Sequence, residues 1–451
     1  SSQQQQQQQQ PTKTSPTTRS PCSATERATT GRPSLPVAGT LYDVLDAGTR
    51  AHIAAEHAHY RFTTQEVRLL CQHARDLQMW GEAPLASWWQ AQTVDAALPS
   101  KQRKRRYLAA LEAHVATLRS EPTRYQDGAS RTPERAPVQI EQVASDREMF
   151  GDCPVRSERT LCCNLKTIDA VTNCGFGCSY CTIQTFYGER VAVDAELGGK
   201  LRRLRLDPSR FHHVGTGQSS DSLLWGNTGG MLDDLMAFAA DNRNVLLELK
   251  TKSANVTYFL DRPIPPNVVC SWSLNTDPVI ENEEHFTAPL RRRLGAARRV
   301  ADRGIGVSFH FHPMVHYDHW RGDYLAVADE VMSTFSPDEV QFISFGSVTF
   351  IKPVMKQIRR RGEPTRILQS DLVPDPHGKL TYSDDRKVEM FAAMYDRFQP
   401  WQKDVFMYLC MEKAEIWDRA FGWRYGSNEQ FEQSMAAATC GWTTGGEGLD
   451  G

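Results

Sequence analysis

The sequence predicts an α/β fold, a partial TIM-like (β/α)6 barrel between two helical regions, and three observations carry that prediction. From Leu165 onward, short β-rich runs alternate with helical stretches. Such alternation gives parallel strands joined by crossover helices. The polar motifs of the chain fall directly after the β runs. A barrel carries its chemistry there, at the C-terminal ends of its strands. Helical patterns without β runs fill the chain on either side.

The β runs are Leu165–Val171, Phe211–Val214, Val245–Leu249, Val268–Asn275, Gly306–His312 and Glu339–Phe345. Helical segments between them include Met231–Ala240, Pro289–Arg303 and Asp323–Thr334. Six such units make the partial barrel, over residues 151–380.

Ahead of it, residues 41–150 read as helical. Thr63 or Thr64 can cap a helix with Val67, Leu70, Cys71, Ala74 and Leu77 on one face. Ser100 can cap a second, with Leu108, Leu111, Val115 and Leu118 as its stripe. Its opening run, Lys101 to Arg106, reads as a solvated face or as a phosphate contact. His52, His57, His59 and His73 read as surface residues rather than metal ligands. Residues 381–430 are helical again, through Asp385–Phe398 and Met411–Phe421, and 431–451 form a flexible tail.

Residues 1–40 are low-complexity. A glutamine tract, Gln3 to Gln10, precedes a Ser/Thr/Pro/Arg-rich stretch whose one acidic residue is Glu26. It holds too little apolar surface to offset its ordering entropy, so disorder is expected. An acid-poor leader rich in Arg and Ser also has the composition of an organelle transit peptide. The eleven cysteines, with no secretory signal, indicate a reducing compartment rather than a disulfide framework. The expected location is the cytoplasm, or an organelle if the leader is a transit peptide. A net charge of −2 excludes a protein that coats nucleic acid by bulk charge. No apolar run is long enough to span a bilayer, so no membrane partner is expected.

The motif with the most chemical content follows the first β run. Residues Asn173-Cys-Gly-Phe-Gly-Cys-Ser-Tyr-Cys-Thr-Ile-Gln184 spell CxxxCxxC. Cys174, Cys178 and Cys181 can each bind one iron of a four-iron cluster. Clusters are ordinarily held by four cysteines, so three leave one iron open to another ligand. Gly175 and Gly177 allow close backbone approach, and Tyr180 adds an aromatic neighbour. A zinc site or buried thiols are the alternatives, but zinc sites need paired ligands and no second pair lies at a suitable distance.

These residues resemble the radical S-adenosylmethionine (SAM) enzymes. The stretch from about Leu165 to Trp423 is similar to their spore photoproduct lyase family. The carriers of the likeness are the cysteine loop with Gln184-Thr, Ser219-Ser220-Asp221, Thr251-Lys252 and Trp272-Ser273-Leu274-Asn275. Pro289 to Arg293, Pro313, Trp320 and Phe350-Ile-Lys-Pro353 follow in the same order. The resemblance implies a [4Fe-4S] cluster on the three cysteines and SAM contacts from Tyr180, Ser220, Lys252 and Ser273. It implies a deoxyadenosyl radical that abstracts hydrogen, and an electron donor such as flavodoxin or ferredoxin. Lys252 suits a carboxylate partner, and the two serines suit hydrogen bonds, although strand-end capping would also account for them.

The substrate side departs from the family. Gln218 stands where the lyase has its hydrogen-donating cysteine. Thr182 replaces a tyrosine, Thr349 an arginine, and His312 a small residue. The substrate classes left open are damaged DNA, RNA and small molecules, and a non-catalytic iron–sulfur redox protein is the reading outside enzymes. Two arginine groups, Arg291–Arg293 with Arg298 and Arg299, and Lys356 with Arg359–Arg361, read as solvated faces or as DNA contacts. Cys270 and Cys410 read as core thiols. Cys153, Cys162 and Cys163 are expected near the barrel bottom.

Overall fold

The computed structural model describes residues 35–125, 138–153, 159–185, 190–375 and 377–441. Only the end of the expected leader, and of the tail only its first part, fall within these residues.

One eight-stranded sheet organises the chain. Its strands are β1 (Phe150–Asp152), β2 (Lys166–Ile168), β3 (His212–Thr216), β4 (Val245–Thr251), β5 (Val268–Ser273), β6 (Val307–Met314), β7 (Val340–Ser347) and β8 (Phe406–Leu409). They lie side by side in chain order. β2 to β8 are parallel, and β1 is an antiparallel edge. Strands β4 and β5 are buried almost throughout, as parallel strands covered on both faces must be.

The structure thus has one parallel strand more than the six units the sequence offered. β8 lies in the region read as purely helical, where four residues between two helices give too short a run to register. It is also tied to the chain ahead of β2. Leu161, ahead of β2, bridges Glu412, just past β8, with its N–H donating to the Glu412 carbonyl at 3.0 Å. This seam overturns the expected place of Cys162 and Cys163. Cys163 lies against Cys162 and close to Cys410 and Cys153, beside the strand ends rather than at the barrel bottom.

The barrel interior carries a polar layer. The Glu248 carboxylate on β4 accepts from His213 Nε2 on β3 at 2.8 Å, Ser271 Oγ on β5 at 2.6 Å and His310 Nε2 on β6 at 2.5 Å. Ser344 on β7 meets the other nitrogen of His310. Each of these side chains is buried. Burial, reinforced by Lys250, lowers His310 to about 4. Its ring is therefore neutral, and Glu248 remains an anion supported by donors from three strands.

The N-terminal helices are α1 (Ala47–Tyr60), α2 (Thr64–Met79), α3 (Leu85–Gln90) and α4 (Ser100–Ser120). Thr63 caps α2 in a capping box with Glu66, and the predicted apolar face of α2 is buried. α4 begins at Ser100 after Pro99, without a side-chain cap. His57 and His73 are buried rather than at the surface.

Around the barrel run α5 (Leu197–Arg203), α6 (Met231–Asp241), α7 (Thr257–Leu260), α8 (Asp277–Glu283), α9 (Leu290–Ala301), α10 (Trp320–Thr334) and α11 (Lys352–Arg361). Asp76 of α2, fully buried, takes Arg359 of α11 in a bidentate pair at 2.7 and 3.0 Å and Arg119 of α4 at 3.0 Å. That triad fastens the N-terminal helices to the barrel. Helices α12 (Asp384–Arg397), α13 (Ala414–Phe421) and α14 (Asn428–Cys440) follow, and α14 runs through the boundary expected at 430. No helix of the described residues is long and apolar enough to cross a membrane.

The seam has a pH signature. Glu412 is paired with Lys387 at 3.0 Å, yet burial outweighs that pairing and pushes its carboxyl up from 4.5 to about 7. The native state therefore holds a proton that the unfolded chain has lost between those values. Stability should fall by on the order of 3 kcal/mol as pH rises from about 4.5 to about 7. Urea midpoints across that range should show the decline in the parent protein and a flatter profile in Glu412→Gln.

Candidate functional site

The predicted motifs converge at the C-terminal ends of the strands. The cysteine loop leaves the sheet after β2. Asn173, in the left-handed region at φ 68°, turns the chain into it, and its side-chain oxygen accepts from the Cys174 N–H at 2.8 Å. Gly177–Cys178 then pairs antiparallel with Glu284–His285. The two loop glycines make room for neighbours. A Cβ at Gly175 would lie 2.7 Å from Leu224 and 2.8 Å from Trp225, and one at Gly177 would lie 3.1 Å from Phe286.

Backbone amides are directed at two of the sulfurs. The Phe176 N–H points to Cys174 Sγ at 3.5 Å, and the Ile183 amide bonds to Cys181. Burial pushes all three thiols up, Cys174 to about 12, while Lys252 acts in the opposite direction on each. Such thiols are neutral until a cation displaces their protons. Among the described residues no three His, Cys, Asp or Glu side chains gather around a single-ion site. A cluster needs no such convergence, because each thiolate holds a different iron. Three sulfurs on one loop, served by amide donors and a nearby ammonium, fit a cluster.

Lys252 follows β4, and its ammonium lies 5.9 Å from the centre of the Tyr180 ring. Ser220, buried after β3, accepts from Trp225 Nε1 at 3.0 Å. Ser273 ends β5 and is buried. Gln218 is half-buried on the loop after β3, next to Gly217, whose φ of 90° only glycine adopts readily. A Cβ at Gly217 would also meet the Lys250 carbonyl at 2.9 Å.

Three carboxylates hold these pieces together, and of them only Asp221 figured in the sequence motifs. Asp221 accepts from Thr251 Oγ1 and the Lys252 N–H, both at 2.7 Å, and from the Leu223 and Leu224 amides. It ties the loop after β3 to the end of β4. Glu283 takes Ser179 of the cysteine loop, Thr365, the Arg366 amide and the Tyr125 hydroxyl. Glu284 receives the Tyr180 hydroxyl, Asn275 Nδ2 at 3.1 Å and Arg293 Nη2 at 2.6 Å. Burial alone would raise Glu284, but Arg293 and Lys252 outweigh it and hold the carboxyl near 2. For Glu283 and Glu284 the adjacent acids at a helix end were the one sequence signal, and their partners range from 9 to 158 residues away in the chain.

Arg293 is fully buried, which corrects the reading of Arg291–Arg293 as one solvated or DNA-facing group. It also donates to the Ser273 and Ala288 carbonyls and to Thr287. Arg298 is bound to Glu339 and Asp302, Arg359 to Asp76 and Arg361 to Glu363. Two of the departing residues, His312 and Thr349, line one polar cavity with Ser347, Cys410, Lys387 and Glu412. Cys410, half-buried, borders that cavity, whereas Cys270 is sealed inside β5. Thr182 is exposed.

Residues 165–372 match the family model described as spore photoproduct lyase. The spore photoproduct lyase of Bacillus subtilis is 24% identical over 208 residues, 44% of this chain and 61% of the relative. That of Clostridium acetobutylicum is 23% identical over 181 residues, 38% of this chain and 53% of the relative. The chain thus spans little more than half the length of these relatives. A solved spore photoproduct lyase mutant with bound SAM and dinucleoside spore photoproduct superposes with a TM-score of 0.52 at 20% identity. It covers 60% of this chain and 81% of that one. A second lyase structure, complexed with dinucleoside spore photoproduct, gives 0.51 at 20% identity with the same coverage. This likeness is one of fold.

Arg293→Ala would leave Glu284 buried without its cation, a loss of about 3–5 kcal/mol. Chemical denaturation should register that loss. Arg291→Ala, at an exposed position one turn-face away, should change stability by less than about 0.5 kcal/mol.

Proposed function

We propose that this protein is a radical SAM enzyme that reductively cleaves S-adenosylmethionine and abstracts hydrogen from a substrate, with damaged DNA as the substrate class. The observation that carries the reading is the convergence of Cys174, Cys178, Cys181 and Lys252 at the strand ends. The family of residues 165–372 supports it. Cys174, Cys178 and Cys181 would hold a [4Fe-4S] cluster. Bound together, cluster and SAM supply a deoxyadenosyl radical.

The chain's own residues bind and orient. Lys252, restrained over Tyr180, offers an ammonium to the SAM carboxylate. Ser220 after β3 and Ser273 at the end of β5, on either side of β4, offer hydroxyls to its polar groups. Tyr180 is a half-buried neutral phenol whose hydroxyl is engaged by Glu284, so its ring acts as a fixed wall. Gln218 and the cavity at His312, Thr349 and Cys410 form the substrate side. A non-catalytic redox protein would have no use for Lys252, Ser220 and Ser273 arranged in this way.

Anaerobic reconstitution and dithionite should yield deoxyadenosine from SAM. Cys178→Ala should abolish the cluster's absorbance, because three ligands are already the minimum. Lys252→Ala should retain the cluster and lose about 1.5–3 kcal/mol of SAM binding, roughly tenfold or more in affinity. Stoichiometric zinc with no iron would reject the reading, and unchanged SAM affinity would remove Lys252 from it.

The substrate side leads to a separate expectation. Glutamine does not readily give up a hydrogen atom, so Gln218 does not serve as a thiol would. The protein should cleave SAM yet convert a synthetic dinucleotide spore photoproduct to thymines poorly or not at all. Efficient, clean conversion would contradict this. Cys410→Ala would then be the informative variant, since Cys270 is sealed in the core.

A further inference from the structure

Helix α11 is basic along one exposed line. Lys352, Lys356 and Arg360 recur at every fourth residue, the spacing that aligns side chains on one helix face, and all three are exposed. None is ion-paired with a described residue. Their neighbours on the helix differ, since Arg359 is buried on Asp76 and Arg361 meets Glu363 at 2.7 Å.

The position of this line matters. α11 packs against Thr182–Thr185, the turn that continues directly from Cys181. Arg361, at its end, lies close enough to act on both Cys181 and His285. Beside His285 stands Phe286, 42% exposed and in the left-handed region at φ 64°. Its ring abuts Gly177 of the cysteine loop. A non-glycine residue in that conformation is strained, and here the strain accompanies an aromatic ring that reaches solvent beside the sulfur ligands.

We propose that Lys352, Lys356 and Arg360, with Phe286, form the docking surface for a small acidic protein that delivers single electrons to the cysteine loop. The inference rests on reading that loop as a cluster site. The carrier loses one electron, the cluster gains it, and no atom changes hands. Electron entry requires the carrier close to the cluster, and this surface flanks the loop from outside. A few like charges around an aromatic ring suit a small, transient protein contact, steered by charge and fixed by the ring. A DNA surface of useful affinity would neutralise about 6–10 phosphates. Several arginines that the sequence offered for that role, Arg293, Arg298, Arg359 and Arg361, are engaged in ion pairs instead.

The test compares the reconstituted parent with a Lys356→Glu/Arg360→Glu double variant. Both residues are exposed and unpaired, so folding should be preserved, and Lys356→Gln/Arg360→Gln provides a milder check. Cluster reduction is followed by absorbance and electron paramagnetic resonance, driven either by reduced flavodoxin or by dithionite. Flavodoxin affinity and duplex DNA affinity are titrated separately.

The double variant should be reduced by flavodoxin at least about tenfold more slowly at low salt, with the difference fading at high salt. Its flavodoxin affinity should fall, while dithionite reduction and DNA binding should match the parent. Equal flavodoxin kinetics and affinity in parent and variant would overturn the proposal. So would loss of DNA binding with flavodoxin kinetics intact. If dithionite reduces no cluster in the parent, the reading of the loop fails, and the flavodoxin titration still decides the surface.

Discussion

The buried pair of Arg293 and Glu284 is the constraint on which the site depends. Both side chains are inaccessible to solvent, and each is fully engaged. Arg293 comes from α9 and holds the end of β5 through the Ser273 carbonyl. Glu284 holds Tyr180, and its backbone pairs with Cys178. One ion pair therefore sets the distance between the cysteine loop and the strand end that faces it. Charges buried this completely stabilise little in net terms compared with a hydrophobic substitute. What they supply here is geometry, since five donors on a rigid plane fix several groups at once.

A second layer of buried charge lies deeper. Glu248, fed by His213, Ser271 and His310, occupies an interior that apolar side chains could have filled. Lys250 lies two residues further along the same strand, and Lys252 follows just past the strand's end, two beyond that. The first contributes the anion, the second an ammonium 3.9 Å from it, and the third an ammonium at the cysteine loop. Polar groups thus extend from the barrel centre to its mouth along one strand. Polarity continues at the ends of β6 to β8, where His312, Thr349 and Cys410 line their cavity.

Much of this was legible in the sequence. Six of the parallel strands, the cysteine spacing and the position of Ser220, Lys252 and Ser273 at strand ends follow from local patterns. The strand Phe406–Leu409 was not, because a four-residue run between helices carries no periodicity. The two internal arginines illustrate a different failure. Arg293 sits three residues after Leu290 and four before Ala297, and Arg359 four after Met355. Each therefore lies inside its helix's apolar stripe, and the helical period alone marked both as inward-facing. Reading the arginines by composition hid this. Their partners Glu284 and Asp76 lie 9 and 283 residues away, and only the folded chain brings them together.

The division of the barrel mouth then has a physical basis. The half built by β2 to β5 is braced by Asp221, Glu283 and Glu284, whose hydrogen bonds cross from one loop to the next. A substitution of one of these three acids removes support from several neighbours together. The half at β6 to β8 has a looser arrangement, a polar cavity whose wall includes side chains on separate strand ends. His312 and Thr349 can differ from related proteins without disturbing the cysteine loop. A barrel braced on one side and adjustable on the other can keep one way of generating reactivity while altering what it acts upon. Two of the departures, His312 and Thr349, lie at this cavity, whereas Gln218 and Thr182 lie on the loops of the braced half.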